Sequence, residues 1–336
     1  MRKILIIFGA LAVLFTACET DFNVNAAWEE TIVVYGLLDA STDTQYVRIN
    51  KAYLGEEDAI IMAQYPDSIN FNPSSLDVII YKLESNDTTD IVQLDTMLII
   101  KDSLDVNGDP GLFAIENNII YSAVFPSAFF TSGNNYAIWI RNLDSGNQVW
   151  ATTEVISDFS FKNTNLLINF PFGFYNPDLP DTSRVLSKTI EWNKSVNGTI
   201  YQLDLIFNYS ENGILKSLVW SQPLEYSEGG GPTMQSKLEG EKFFNFLSSE
   251  LKDPDFQGIR HFENIDLIMT VGTENLETYI TVNEPISNIS QQRPSFTNIN
   301  NGIGIFSSRF THIVNNLDLS DDTKDYLINE LGRNFE

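Results

Sequence analysis

Cys18 is the only cysteine of the chain, and its placement defines a chemistry more narrowly than that of any other residue. It follows the small pair Thr16-Ala17, which stands behind an apolar stretch from Ile4 to Phe15 and the two cations Arg2 and Lys3. A thiol at that place is positioned to become an acyl-bearing N-terminus after cleavage. Once acylated, it leaves no thiol for a disulfide, a thiolate metal site or a nucleophile. A second constellation, Asp105-x-Asn107-x-Asp109 followed by Gly111 and Glu116, places hard oxygen donors at positions 1, 3, 5 and 12 of a calcium loop. Pro110 stands where such a loop turns on glycine, strand-like segments flank it, and the same residues make an ordinary turn; no metal is assigned to them. His261 and His312 lack paired-histidine spacing, so a histidine-rich transition-metal site is not expected. The chain has neither a G-x-S-x-G elbow nor a Gly-rich phosphate loop, and its many carboxylates single out no glycosidase-like pair. The expectation is a non-enzymatic protein without a cofactor. Phe170, Phe172, Phe174 and Tyr175, in a segment with Pro171, Pro177 and Pro180, have the chemistry to stack on a sugar or apolar ligand. Core packing is the commoner fate of such a cluster.

These residues must be carried by a secreted body. Residues 1–17 read as a signal peptide, and its apolar run is shorter than the roughly 20 residues needed to span a bilayer. Phe15-Thr16-Ala17-Cys18 resembles the lipobox of signal-peptidase-II substrates, which makes Cys18 the expected site of lipid attachment and 18–30 a lipidated tether. Two or more acyl chains anchor stably, at about 0.8 kcal/mol per buried methylene, whereas one is marginal. With 20 basic against 45 acidic residues and a formal net charge of -25, nucleic acid is excluded as a partner, because phosphate binding needs clustered Lys and Arg. Hydrophobic content of 43% excludes global disorder.

Short runs rich in Val, Ile, Tyr, Phe and Thr, bounded by Asn, Asp, Gly, Ser and Pro, predict strands over 31–38, 45–54, 76–83, 91–100, 119–125, 136–141 and 148–156. A second series covers 185–192, 199–209, 214–222, 264–271, 276–282 and 302–306. The run 136–141 is read as a largely buried core strand. Asn212-Gly213 predicts a tight hairpin. Phe243, Leu247 and Leu251 predict a helix over 239–251, and Ser320, Asp321, Asp322 and Gly332 frame another over 320–331. The expected fold is mainly all-β: two immunoglobulin/fibronectin-III-like β-sandwich domains, 31–157 and 158–336, with one or two short helices in the C-terminal half.

The segment from Arg293 to Arg309, containing Thr297-Asn298-Ile299, Asn301-Gly302 and Gly304-Ile305-Phe306, resembles the C-terminal TNI-x-NG-x-GIF signature of an uncharacterised family of Bacteroidota outer-membrane lipoproteins. Val33-Val34-Tyr35-Gly36-Leu37, Asn135-Tyr136, and Glu191-Trp192 followed by Tyr201 extend the similarity. The resemblance implies β-sandwich lipoproteins, often encoded beside TonB-dependent receptors, with no catalytic residues to carry over. Asn301-Gly302 and Gly304 suit a tight turn and a close backbone approach. Glu19-Thr20-Asp21-Phe22 resembles the acidic signal that sends such lipoproteins to the cell exterior. Asp67-Ser68-Ile69, Asp87-Thr88-Thr89, Asp95-Thr96-Met97 and Asp102-Ser103-Leu104 resemble O-glycosylation sites of that phylum. The resulting expectation is a surface-exposed outer-membrane lipoprotein, acting as binding or accessory partner of a TonB-dependent transporter or related envelope complex. The alternative is a structural or adhesive envelope lipoprotein without a small-molecule ligand.

Overall fold

The computed structural model describes residues 30–52, 59–85, 87–100, 111, 118–162, 171–227, 229–253, 255–284 and 295–336. Within them the fold is mainly β. The first half contributes β1 (Ile32–Asp39), β2 (Thr44–Lys51), β3 (Leu76–Glu84), β4 (Asp87–Gln93), β5 (Asp95–Ile99), β6 (Asn118–Val124), β7 (Asn135–Asn142) and β8 (Gln148–Glu154). The second half adds β9 (Ser187–Asn193), β10 (Ile200–Glu211), β11 (Ile214–Ser221), β12 (Glu225–Tyr226), β13 (Thr233–Glu239), β14 (Arg260–Gly272) and β15 (Ile303–Leu317). Helices are α1 (Ala59–Met62), α2 (Pro66–Ile69), α3 (Gly240–Glu250), α4 (Glu274–Asn283) and α5 (Asp321–Asn329).

One large sheet runs through both halves in the order β11-β10-β14-β15-β1-β2-β6-β5, with β12 beside β10. A four-stranded sheet, β4-β3-β7-β8, and the pair β13-β9 form further layers. In most of these strands alternate side chains are buried, so one face of each sheet is core and the other faces out. The first core joins Val34, Val47, Ile49 and Tyr121 of the large sheet to Val78, Ile80, Ile138, Ile140 and Val149 of the four-stranded sheet. The second joins Leu203, Leu205, Phe207, Leu267 and Met269 to Ile190, Trp192 and the α3 residues Phe243, Phe244 and Leu247.

The two halves meet where β1 pairs in parallel with β15, from Val33 opposite Ile303 to Asp39 opposite Arg309. Two of the motifs quoted for the resemblance, Val33–Leu37 and Gly304-Ile305-Phe306, therefore lie side by side. Gly304 has φ +115°, and a Cβ there would stand 2.0 Å from the Val34 carbonyl oxygen, so only glycine permits this approach. Ile299 and Phe306, although near the C-terminal end, are buried in the first core.

Several expectations are met closely. Asn212 (φ 50°) and Gly213 (φ 81°) join β10 to β11 as a tight hairpin. Helix α3 buries Phe243, Phe244 and Leu247 as its stripe predicts. Helix α5 follows Ser320, although the Ser320 hydroxyl bonds the Thr323 hydroxyl at 2.8 Å instead of capping a backbone N–H. Other expectations are corrected. The predicted strand 276–282 is helix α4: Leu276, Tyr279 and Ile280 recur at helical spacing, and Glu274 and Glu277 sit in its first turn, where acids favour a helix start. The predicted strand 91–100 divides at buried Leu94 into β4 and β5, which belong to different sheets. Strand 136–141 is buried on one face only. β13 lies outside the predicted strands, and β15 continues past 306 to Leu317 through Phe310, Thr311, Ile313 and Val314.

Candidate binding surface

Several residues singled out by sequence lie outside the described residues: Cys18, the acidic signal at Glu19 and Asp21, the candidate calcium donors Asp105, Asn107, Asp109 and Glu116, Asp102-Ser103-Leu104, and Phe170. Among the described residues no three His, Cys, Asp or Glu side chains converge as metal donors, and no helix is long and apolar enough to cross a membrane. Phe172 and Phe174 are core residues. The Phe174 ring stacks on Phe243 with centroids 4.5 Å apart, and half-buried Tyr175 lies 4.7 Å from Tyr326. The Phe174 N–H donates to the Thr323 hydroxyl (2.9 Å), which ties this segment to α5.

The histidines are not brought together. His312 sits opposite Met269 on β14, packed between Phe159 and Phe161, with its Nδ1 3.3 Å from Asp158 Oδ1. His261 lies near the other end of β14, its Nδ1 3.1 Å from the Glu336 carbonyl oxygen. Asp67-Ser68-Ile69 falls in and beside α2, whereas Asp87-Thr88-Thr89 and Asp95-Thr96-Met97 are exposed on β4 and β5.

Tryptophans that sequence reading passed over form the most distinctive surface. Trp139 on β7 and Trp150 on β8 stand directly opposite each other on the outward face of the four-stranded sheet, 38% and 41% exposed. Their inward neighbours Ile138, Ile140, Val149 and Ala151 fix that orientation by filling the first core. Across β7, Ile79 stands opposite Trp139 and Tyr81 opposite Ala137, and exposed Ile91 on β4 stands opposite Tyr81. Indole rings on such a face offer flat apolar area with an N–H at the edge. An outward tryptophan in an alternating strand was the available signal in both 136–141 and 148–156.

The same face leads into a polar cleft. Ala137 opposite Thr152, then Asn135 opposite Glu154, continue the outward rows of β7 and β8. A cavity of about 480 Å³ opens there, lined by Asn135, Thr152 and Glu154 on one side and Asn197, Thr199 and Asn275 on the other. Its walls are tied together: the Asn197 amide donates to the Val155 carbonyl (3.1 Å), and the Ser308 hydroxyl to the Glu154 carbonyl (2.7 Å). Thr273, which precedes α4, shares a 2.6 Å hydroxyl contact with Ser307. Asn197 takes a left-handed conformation at φ 66°. Nearby, Tyr201 is core; burial pushes its phenol up, partly offset by the Ser195 N–H that it accepts.

Two other features are structural in character. A cavity of about 500 Å³ beside α5 has an apolar floor of Phe262, Leu317, Leu327 and Phe335, and Lys324 at its rim is held by Asp318 at 2.8 Å. Glu211 accepts from Arg260 Nε (2.9 Å) and Nη2 (2.7 Å), and from Lys216. Burial pushes the Glu211 carboxyl up, but the bonds and charges of Lys216 and Arg260 outweigh it and hold the group below the usual range. Arg260 Nη1 also donates to the Arg333 carbonyl at 2.8 Å, which fastens the C-terminal segment.

No protein-family model matches the chain, and neither does any curated protein sequence.

Proposed function

We propose that this chain is a lipid-anchored lipoprotein of the outer membrane, displayed on the cell exterior, that binds a ligand as accessory partner of a TonB-dependent transporter or related envelope complex. The placement rests on the sequence: a lone thiol at Cys18 behind a short secretion segment, acidic residues after it, and the C-terminal signature. The observation that carries the binding role is the outward pair Trp139 and Trp150 on a sheet face continuous with a polar cleft. Exposed apolar area rimmed by polar groups is characteristic of interaction sites. The work assigned to the body is recognition, with the acyl chains supplying retention at the membrane.

Radiolabelled palmitate and membrane flotation test the placement. Wild-type chain is expected to take up label and float with outer membrane, and Cys18→Ala to lose both. Unchanged labelling of the Cys18→Ala variant would overturn the anchor.

A further inference from the structure

The ligand class of the Trp139–Trp150 surface can be narrowed by what that surface offers; the inference rests on the binding reading above. We propose that the outward face of β7 and β8 binds a neutral oligosaccharide with equatorial hydroxyls, lying from the tryptophan pair into the cleft at Asn135 and Glu154.

Two independent features converge on this class. The first is aromatic: two half-exposed tryptophans opposite each other in register on adjacent strands, extended on the β3 side by Ile79. A pyranose whose hydroxyls are equatorial presents flat faces of C–H bonds, which pack on an indole, whereas an axial hydroxyl lifts the ring away. The second feature is the cleft, where Asn135, Thr152 and Asn275 supply amides and a hydroxyl able both to donate and to accept, beside Asn197 and Thr199, which bond the Val155 and Gly272 carbonyls. A sugar edge carries the same kind of group. From Trp139 to Asn135 the strand advances about 14 Å at its usual rise, the reach of a short oligosaccharide and not of a single ring. Ala137 and Thr152, between the two features, are small enough to leave the path open.

Charge narrows the class further. The chain carries a formal net charge of -25, and Glu154 and Glu274 line the cleft, so a polyuronate or sulfated glycan meets like charge. Arg141, the next outward residue after Trp139 on β7, stands opposite Asp77 on β3. A long apolar peptide would cover the tryptophans but offer no partner to Asn135, Thr152 and Asn275, which is costly when they are desolvated.

The test uses the full chain in a detergent without a sugar headgroup, titrated with cellohexaose, xylohexaose and polygalacturonate by calorimetry and indole fluorescence. Saturable binding to at least one neutral hexasaccharide is expected, with quenched fluorescence and no binding of the polyuronate. Trp139→Ala and Trp150→Ala are each expected to weaken binding about tenfold or more, as buried aromatic anchors do. Trp139→Tyr and Trp150→Tyr keep a ring and should retain most of the affinity, so that loss in the alanine variants reports stacking and not misfolding. Thr152→Val should weaken the hexasaccharide but leave cellobiose, too short to reach from the tryptophans into the cleft, unaffected.

No binding of either hexasaccharide, equal binding by the Trp139→Ala/Trp150→Ala double variant, or preference for the polyuronate would overturn the proposal. Recovery of a receptor with wild-type chain but not with the double variant, in the absence of sugar binding, would also overturn it: the face would then be a protein-docking surface, and the accessory role would survive. Sugar binding without receptor recovery would leave the ligand class standing and remove the accessory role.

Discussion

Gly304→Ala tests how the two halves are joined. The added Cβ would lie 2.0 Å from the Val34 carbonyl oxygen and 2.9 Å from its carbonyl carbon, both backbone atoms that no rotamer change can move. The glycine is also at φ +115°, where an L side chain is strained at a cost of about 1–3 kcal/mol. Relieving the overlap must separate β1 from β15 locally, and overpacking of that kind costs roughly 1–3 kcal/mol more. The expected destabilisation is therefore about 2–6 kcal/mol. Gly213→Ala is the matched control, because it has a similar backbone cost at φ +81° but nothing within 4 Å of the new methyl. It should cost only the backbone part, about 1–3 kcal/mol. Urea unfolding followed by tryptophan fluorescence and far-UV dichroism compares the two through the shift in midpoint at unchanged slope. Equal midpoints for the two variants would refute the argument that close backbone contact between Val34 and Gly304 holds the sheet together.

Four further outcomes follow from other parts of the molecule. Arg260→Ala leaves the half-buried Glu211 with a single exposed lysine and should destabilise by about 1–3 kcal/mol, read by urea unfolding. Because the folded Glu211 carboxyl is held below its ordinary value, its stabilising contribution is full above the ordinary carboxylate range and lost as pH falls through the lowered value; Glu211→Gln should flatten that acid limb, and an unchanged limb would contradict the assignment. Phe174→Ala removes a ring stacked on Phe243 and should cost about 3–5 kcal/mol without altering ligand affinity, since the ring is core; a change in affinity at intact stability would restore a binding role to that segment. Calcium added over a chelator should leave the melting temperature unchanged, whereas a rise would show that Asp105, Asn107, Asp109 and Glu116 bind the ion.

Much of the β architecture was legible because burial alternates along its strands and the sequence alternates with it. The Asn212-Gly213 hairpin and helix α3 were equally direct, each resting on a local rule: positive φ at a two-residue turn, and an apolar stripe four residues apart. What local pattern could not show was partnership. Nothing in 91–100 marks the change of sheet at Leu94, because the divide is imposed by Val78, whose carbonyl takes the Leu94 N–H at 2.9 Å. Helix α4 was mistaken for a strand because seven residues, with Thr278, Ile280, Thr281 and Val282 among them, carry a β-branched bias that competes with the helical spacing of Leu276 and Ile280. The close approach at Gly304 was legible as a glycine requirement, but its partner at Val34, far away in sequence, was not. The binding surface was overlooked for a similar reason. The strand pattern of 136–141 does not say which face Trp139 takes, and only its register opposite Trp150 places the two tryptophans on one outward face. The proline-bounded aromatic segment attracted attention for its composition and proved to be packed inside.

The role proposed for this chain is service to a transporter complex at the outer membrane. Affinity purification of the acylated chain from solubilised outer membranes, with Cys18→Ala as control and mass spectrometry as readout, tests it most directly. A TonB-dependent receptor is expected to co-purify with the wild-type chain and to be depleted with Cys18→Ala. Its reproducible absence from the wild-type preparation, with the chain itself intact and acylated, would contradict the account.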